Sequence, residues 1–125
     1  MKKIATNNAP AAIGPYSQAI FANGFLFSSG QIAINPQTGE LVDGGITAQT
    51  RQVFANLGEV LKAAQMDFED VVKTTVFLAD MNDFGQMNAI YGEFFTQNLP
   101  ARSAVAVKTL PKGALIEIEL IATKQ

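Results

Sequence analysis

The 125-residue sequence predicts an α+β fold in which two helices cover one face of a mixed β-sheet. Two stretches repeat apolar residues at helical spacing, and each is followed by a run with the composition of a strand. Near the N-terminus, Asn23-Gly24 separates two further strand-like runs and is the dipeptide favoured in two-residue hairpin turns. At this length we expect a single domain over residues 1–125.

The first third of the chain is predicted to contain strands and one irregular loop. Residues 3–6 fit a short edge strand. Residues 7–15 contain two prolines and a glycine and therefore predict a loop built from turns. Residues 16–22 and 25–33 then have the composition of the two hairpin strands.

The first helix is predicted over residues 46–64. Its apolar residues fall at steps of one, three and four and form one stripe: Val53, Phe54, Leu57, Val60, Leu61 and Ala64. Its polar residues lie mainly away from that stripe: Gln49, Arg51, Gln52, Glu59 and Lys62.

The second helix follows the N-cap candidates at positions 80–83 and ends before Pro100. Its stripe consists of aromatic residues and one methionine: Phe84, Met87, Tyr91, Phe94 and Phe95. Between the helices, residues 71–78 are rich in β-branched and aromatic residues. Side chains alternate between the two faces of a strand, and here both faces carry apolar residues. This pattern predicts a central strand that is covered on both faces.

Two final strands are predicted on either side of a turn at residues 110–113. In the first, Arg102 shares one face with Ala104 and Ala106; in the second, Glu117 shares one face with Glu119. If the two strands form a hairpin with Thr109 opposite Ala114, Arg102 faces Ile121 and Glu117 faces Ala106. The two charged residues would then be about 13 Å apart along the strands. A bulge or leaning side chains would be needed for both to reach one small ligand.

The composition excludes several classes of chemistry. The sequence has no cysteine and no histidine, which rules out disulfides, thiol nucleophiles, histidine-containing triads and imidazole acid–base catalysis, together with the zinc sites these residues build. The net charge is −2 and no basic cluster is present, so we expect no nucleic-acid partner. We also expect no membrane interaction and a cytoplasmic protein, because signal-peptide and membrane-spanning patterns are missing.

Charged residues make up only 16% of the chain, against about 25% in typical domains. So few charges leave apolar surface exposed, which favours burial in an oligomer.

Arg102 and Glu117 are the candidates for a functional site. A guanidinium beside small residues is suited to hold a carboxylate through two hydrogen bonds. Glu117 and Glu119 on the last predicted strand could bind and orient a water molecule. The alternative is that Arg102 forms a surface ion pair and that both glutamates are solvated charges, and the pattern alone does not choose between Glu117 and Glu119.

Six motifs occur together and in order, and they span nearly the whole chain. They are PAAIGPYSQA at 10–19, SSGQI at 28–32, VKTTVFL at 72–78, PARS at 100–103, LPK at 110–112 and IEIE at 116–119. With them the sequence resembles the reactive intermediate deaminase family, known as RidA or YjgF-like proteins.

The resemblance implies a chorismate-mutase-like fold and a homotrimer with a cleft between each pair of subunits. It also implies a hydrolase that converts 2-imino acids and their enamine tautomers, released by pyridoxal-phosphate-dependent dehydratases, to 2-keto acids and ammonia. Such an activity would limit metabolite damage. No cofactor and no metal are implied.

By this resemblance, Arg102 holds the substrate carboxylate and Glu117 positions the attacking water. Tyr16 would hydrogen-bond the substrate or help to protonate its nitrogen, although a tyrosine at the start of a strand more often packs. Further substrate contacts are implied at Gly30, Ser29, Asn88 and Ala104. Many relatives have cysteine where this chain has Ala104, but the implied contact there is made by the backbone.

Two other functions are compatible with the sequence. The same cleft could serve a trimer that senses small molecules or stabilises a protein partner without significant catalysis. Ribonuclease activity has also been assigned to family members, but the acidic chain and the missing histidine disfavour it.

Overall fold

The computed structural model describes residues 1–124 and contains one six-stranded sheet in the order β1-β2-β3-β6-β4-β5. The strands are β1 (Lys2–Ile4), β2 (Ala19–Ala22), β3 (Phe25–Ser28), β4 (Val71–Leu78), β5 (Ala101–Ala106) and β6 (Ile116–Thr123). The helices are α1 (Gly45–Ala63) and α2 (Phe84–Phe94). The predicted fold class of two helices on a mixed sheet is confirmed.

The N-terminal hairpin is confirmed, but its strands are shorter than predicted. Asn23 and Gly24 have φ angles of 52° and 83°, as a type I′ turn requires. After Ser28 the chain leaves the regular ladder, because the Ser28 hydroxyl accepts the N–H of Leu120 at 2.9 Å. Within the rest of the predicted strand, Gln31 pairs again in an isolated bridge with Ile118.

The last two strands do not form the hairpin that was considered for them. Strand β5 pairs with β4 in parallel, and β6 pairs with the other edge of β4 in antiparallel orientation. The reason is that α2 carries the chain back along β4, so β5 adds in the same direction. The connection to β6 then crosses the end of β4, where the N–H of Val107 donates to Leu78 O at 2.8 Å.

Both helices pack on one face of the sheet. Their buried side chains include Phe54 and Leu57 of α1, which face Val76 and Ile118 of the central strands. Gln49 differs from the prediction, because it is buried instead of lying away from the core. Its Oε1 accepts the N–H of Leu115 at 2.9 Å, and this hydrogen bond offsets the cost of burying the amide.

The opposite face of the sheet is not covered by any element within residues 1–124. Phe27 is 45% exposed there, and Phe25 and, three strands away, Val105 are exposed as well. The prediction that β4 is covered on both faces is therefore not met within one chain, where Val72 is exposed. None of the helices in residues 1–124 is both long and apolar enough to cross a membrane.

Candidate functional site

Glu117 lines an open cavity of about 570 Å³ at one end of the sheet. Tyr16, Ser29 and Gly30 lie on the polar side of this cavity. The rest of the wall is largely apolar and comes from irregular segments: Pro10, Ile13, Ile32, Ile34 and Pro111. The cavity therefore combines a carboxylate, a phenol, the ammonium group of Lys112 and the amides of Gln18 and Gln31 with apolar surface suited to a small organic molecule.

The alternation of β6 places the Glu117 side chain on the face away from the helices. Ile116 and Ile118 on either side of it are fully buried in the core. Gly30 lies directly against the carboxylate, and a Cβ on Gly30 would collide with Glu117 Oε2 and approach Cδ to 2.8 Å. The missing side chain at position 30 is therefore what makes room for the carboxylate.

Burial raises the pKa of the Glu117 carboxyl above the ordinary value of 4.5, and the negative charge of Glu119 raises it further. Glu119 lies two residues along the same face of β6 and is exposed. The structure thus distinguishes the two carboxylates that the sequence left as rivals. Glu117 lines the cavity beside Tyr16 and Gly30, whereas Glu119 does not line it.

Tyr16 and Ser29 belong to one hydrogen-bonded unit at the cavity wall. The Ser29 hydroxyl donates to Ser17 O at 2.6 Å, and the Ser29 N–H donates to Gln18 O at 2.9 Å. Tyr16 is 54% exposed at the end of the loop that these bonds hold. Ser29 therefore lines the cavity, and its hydroxyl proton is used to fix the Tyr16 loop. Its predicted contact with substrate stays a prediction.

Arg102 lies in a second open cavity, of about 430 Å³, which is also lined by Leu99 and Pro100. Its guanidinium carbon is 4.6 Å from the centre of the Tyr91 ring and 5.3 Å from that of Phe84. Its Nη1 donates to Asn88 Oδ1 at 2.7 Å. Within residues 1–124 this is the one hydrogen bond of the Arg102 side chain, so its other N–H groups are available to an anion.

Two of the predicted substrate contacts lie beside Arg102. The amide of Asn88 holds the guanidinium through its oxygen. Ala104 is on the same face of β5, two residues further along, and packs partly buried against the core.

Within one chain, Arg102 and Glu117 do not meet. Arg102 pairs with Thr74 across β5 and β4, and Thr74 pairs with Leu120, which is three residues from Glu117. An odd number of steps places the two side chains on opposite faces, and the Cα atoms are about 14 Å apart by strand geometry. The chain thus carries two separate clusters of candidate residues. For the proposal below we name them the Glu117 half-site (Tyr16, Ser29, Gly30, Glu117) and the Arg102 half-site (Asn88, Tyr91, Arg102).

Two residues that order these half-sites are not among the predicted site residues: Gln18 and Tyr91. Gln18 is buried, and its amide bonds the backbone of Thr6 and Pro10, closing the loop before Tyr16. Tyr91 was predicted only as part of the apolar stripe of α2. The available signals were a glutamine within the predicted strand at 16–22 and the one hydroxyl-bearing residue within the apolar stripe of α2.

Comparison with known proteins gives matches over nearly the entire chain. The sequence model of the family described as endoribonuclease L-PSP matches residues 6–124. A 2-iminobutanoate/2-iminopropanoate deaminase of Mus musculus is 54% identical, over 98% of this chain and 91% of the mouse protein. A Lactococcus lactis protein named as a candidate regulator is 56% identical, over 98% of this chain and 97% of that protein.

Solved structures show the same fold. The structure of the E. coli YjgF gene product superposes with a TM-score of 0.95 at 48% identity, covering 100% of both chains.

Proposed function

The chain belongs to the endoribonuclease L-PSP family and is similar to an imine deaminase and to YjgF, and we propose that it hydrolyses 2-imino acids to 2-keto acids and ammonia. The observation that carries this proposal is the Glu117 half-site, with a carboxyl of raised pKa in a cavity of small-molecule size. The identity of 54% to a deaminase over 98% of the chain supports the same substrate class.

We further propose a homotrimer in which the Arg102 half-site of one copy faces the Glu117 half-site of the next. Three features support this arrangement. The two half-sites lie too far apart to serve one ligand within a chain, β5 is an edge strand, and the open sheet face exposes Phe25, Phe27 and Val105. A self-association that covers this face would bury apolar surface and complete the site together.

In the proposed reaction, two N–H groups of Arg102 hold the substrate carboxylate. The N–H of Gly30 stabilises a substrate oxygen. Glu117 accepts a proton from water as the water oxygen bonds to the imine carbon, and the former C=N nitrogen is protonated, with the Tyr16 hydroxyl as the nearby donor. In the resulting carbinolamine the amino group takes the proton held by Glu117 and leaves as ammonia, while the hydroxyl proton passes to the Tyr16 oxygen. This forms the 2-keto acid and returns both side chains to their starting protonation states.

The second candidate function is a trimer that binds keto acids as a sensor without significant turnover. The observation that favours it is the Lactococcus lactis relative named as a candidate regulator, which is 56% identical. A sensor needs the same carboxylate recognition at Arg102 but does not need a base at Glu117.

The test couples the protein to a threonine dehydratase in the presence of an amine that scavenges the imine, and follows 2-ketobutanoate. We expect the wild-type protein to accelerate ketobutanoate release, and Arg102→Ala and Glu117→Gln to abolish the acceleration. The matched variant Glu119→Gln keeps turnover at neutral pH. If wild type binds 2-ketobutanoate without accelerating its release, the sensor is the correct function.

A further inference from the structure

The aromatic ring beneath Arg102 is fixed from its far end. Tyr91 is 7% exposed, and its hydroxyl shares a hydrogen bond of 2.7 Å with the hydroxyl of Thr74, which is fully buried. Thr74 is also the residue that pairs with Arg102 across β4 and β5. The strand that carries the arginine and the ring on which the guanidinium lies are therefore tied to the same residue of β4.

We propose that Tyr91 and Thr74 are positioning residues, which orient Arg102 for the carboxylate of a 2-imino or 2-keto acid. This inference rests on the proposed function, in which Arg102 is the carboxylate ligand. An arginine side chain has several rotatable bonds, and ordering it only when the ligand binds weakens binding. The Tyr91 ring face and Asn88 Oδ1 restrain the guanidinium in two different directions before any ligand arrives.

Packing alone does not account for the two hydroxyls. Phenylalanine and valine would fill the same volumes without placing polar groups in the core, where a hydroxyl is costly unless it is hydrogen-bonded. The hydrogen bond between the two hydroxyls orients the Tyr91 ring, because it fixes the tilt of the ring as well as its position. The other ring near the guanidinium, Phe84, has no such tether and lies farther away, at 5.3 Å.

The experiment measures 2-ketobutanoate binding by NMR titration for Thr74→Val, Thr74→Ser and Tyr91→Leu, each alone and combined with Arg102→Ala. Thr74→Val should weaken binding about three- to tenfold, and Thr74→Ser should restore it because the hydroxyl returns. Tyr91→Leu should weaken binding about tenfold or more. In the Arg102→Ala background none of the three should have a further effect. Thr47→Val, an exposed hydroxyl of α1, controls for the substitution itself.

Three results would overturn the inference. Equal losses with and without Arg102 would show that Tyr91 and Thr74 act on the fold. Wild-type affinity in Thr74→Val and Tyr91→Leu, while Arg102→Ala loses binding, would show that Arg102 needs no positioning. Wild-type affinity in Arg102→Ala would overturn the inference together with the proposed role of Arg102. If Tyr91→Leu does not fold, the Thr74→Val and Thr74→Ser pair decides.

Discussion

Gly30 and Glu117 are in such close contact that the glycine leaves space for the carboxylate and for nothing more. A Cβ on Gly30 would collide with Glu117 Oε2 and lie 2.8 Å from Cδ. Because the neighbours Ile116 and Ile118 anchor β6 in the core, the backbone at Glu117 has little freedom to retreat. The carboxylate itself would have to rotate away from the cavity.

Gly30→Ala is therefore expected to reduce imine hydrolysis about 100-fold, the scale of losing a positioned general base. The physical cause is displacement of Glu117, so the thermal midpoint should change little while kcat falls. The dehydratase-coupled assay measures the rate, and circular dichroism follows unfolding. Gly85→Ala is the matched control, since a Cβ at Gly85 contacts nothing within 4 Å. Full activity in Gly30→Ala would contradict the placement of Glu117 in the site.

The acidic limb of the pH–rate profile should report Glu117. As a base it must be ionised, so activity falls when the pH drops through its pKa, which burial and then Glu119 raise above 4.5. Replacing Glu119 by glutamine removes the smaller of these two causes. The acidic limb of kcat/KM in Glu119→Gln should therefore shift to lower pH. A limb that does not move would show that Glu117 is not the titrating group.

The raised pKa of Glu117 also predicts that replacing this carboxyl makes the folded protein more stable, although the proposed activity is lost. In the folded protein the ionised form of Glu117 is disfavoured relative to the unfolded chain, so the penalty is present above the folded-state pKa. It disappears as the pH falls below the ordinary value of 4.5, where both states are protonated. Glu117→Gln should therefore raise the thermal midpoint at pH 7 and lose this advantage in acid. Equal midpoints of variant and wild type at pH 7 would contradict the prediction.

Local patterns predicted the helices and the central strand well. The first helix was predicted at 46–64 and lies at Gly45–Ala63, and the strand predicted at 71–78 is Val71–Leu78. These elements depend on the periodicity and composition of neighbouring residues, and both can be read from the sequence without knowing the fold. The partner of a strand is not local information, so the pairing considered for the last two strands was wrong.

Buried polar side chains were the second source of error. Gln49 was placed away from the core because its side chain is polar, but its partner is the N–H of Leu115, 66 positions along the chain. Likewise, the faces of Arg102 and Glu117 follow only from knowing that β4 lies between β5 and β6. The candidate site residues were named from the family resemblance, because residue types alone left Glu117 and Glu119 as alternatives, whereas their separation into two clusters required the topology.

Gln18 is predicted to hold the N-terminal loop against the Glu117 half-site. Its Oε1 accepts the N–H of Thr6 at 2.7 Å, and its Nε2 donates to Thr6 O at 3.0 Å and Pro10 O at 2.7 Å. Gln18→Leu would leave these backbone groups without their partner and should destabilise the protein by about 2 kcal/mol. Hydrogen exchange should rise over residues 6–16. Urea unfolding measures the loss, with the exposed Gln37→Leu as control, and an unchanged loop would refute the role.

The proposed composite site predicts complementation between two inactive variants. Arg102→Ala has an intact Glu117 half-site, and Glu117→Gln has an intact Arg102 half-site. In trimers reassembled from equal amounts of both, about one quarter of the clefts combine the two intact halves. The mixture should therefore regain about one quarter of wild-type activity in the coupled assay, once native mass spectrometry shows hybrid trimers. Mixing Glu117→Gln with Gly30→Ala should regain nothing, because both variants damage the same half-site. Hybrid trimers of the first pair that remain inactive would rule out a site shared between subunits.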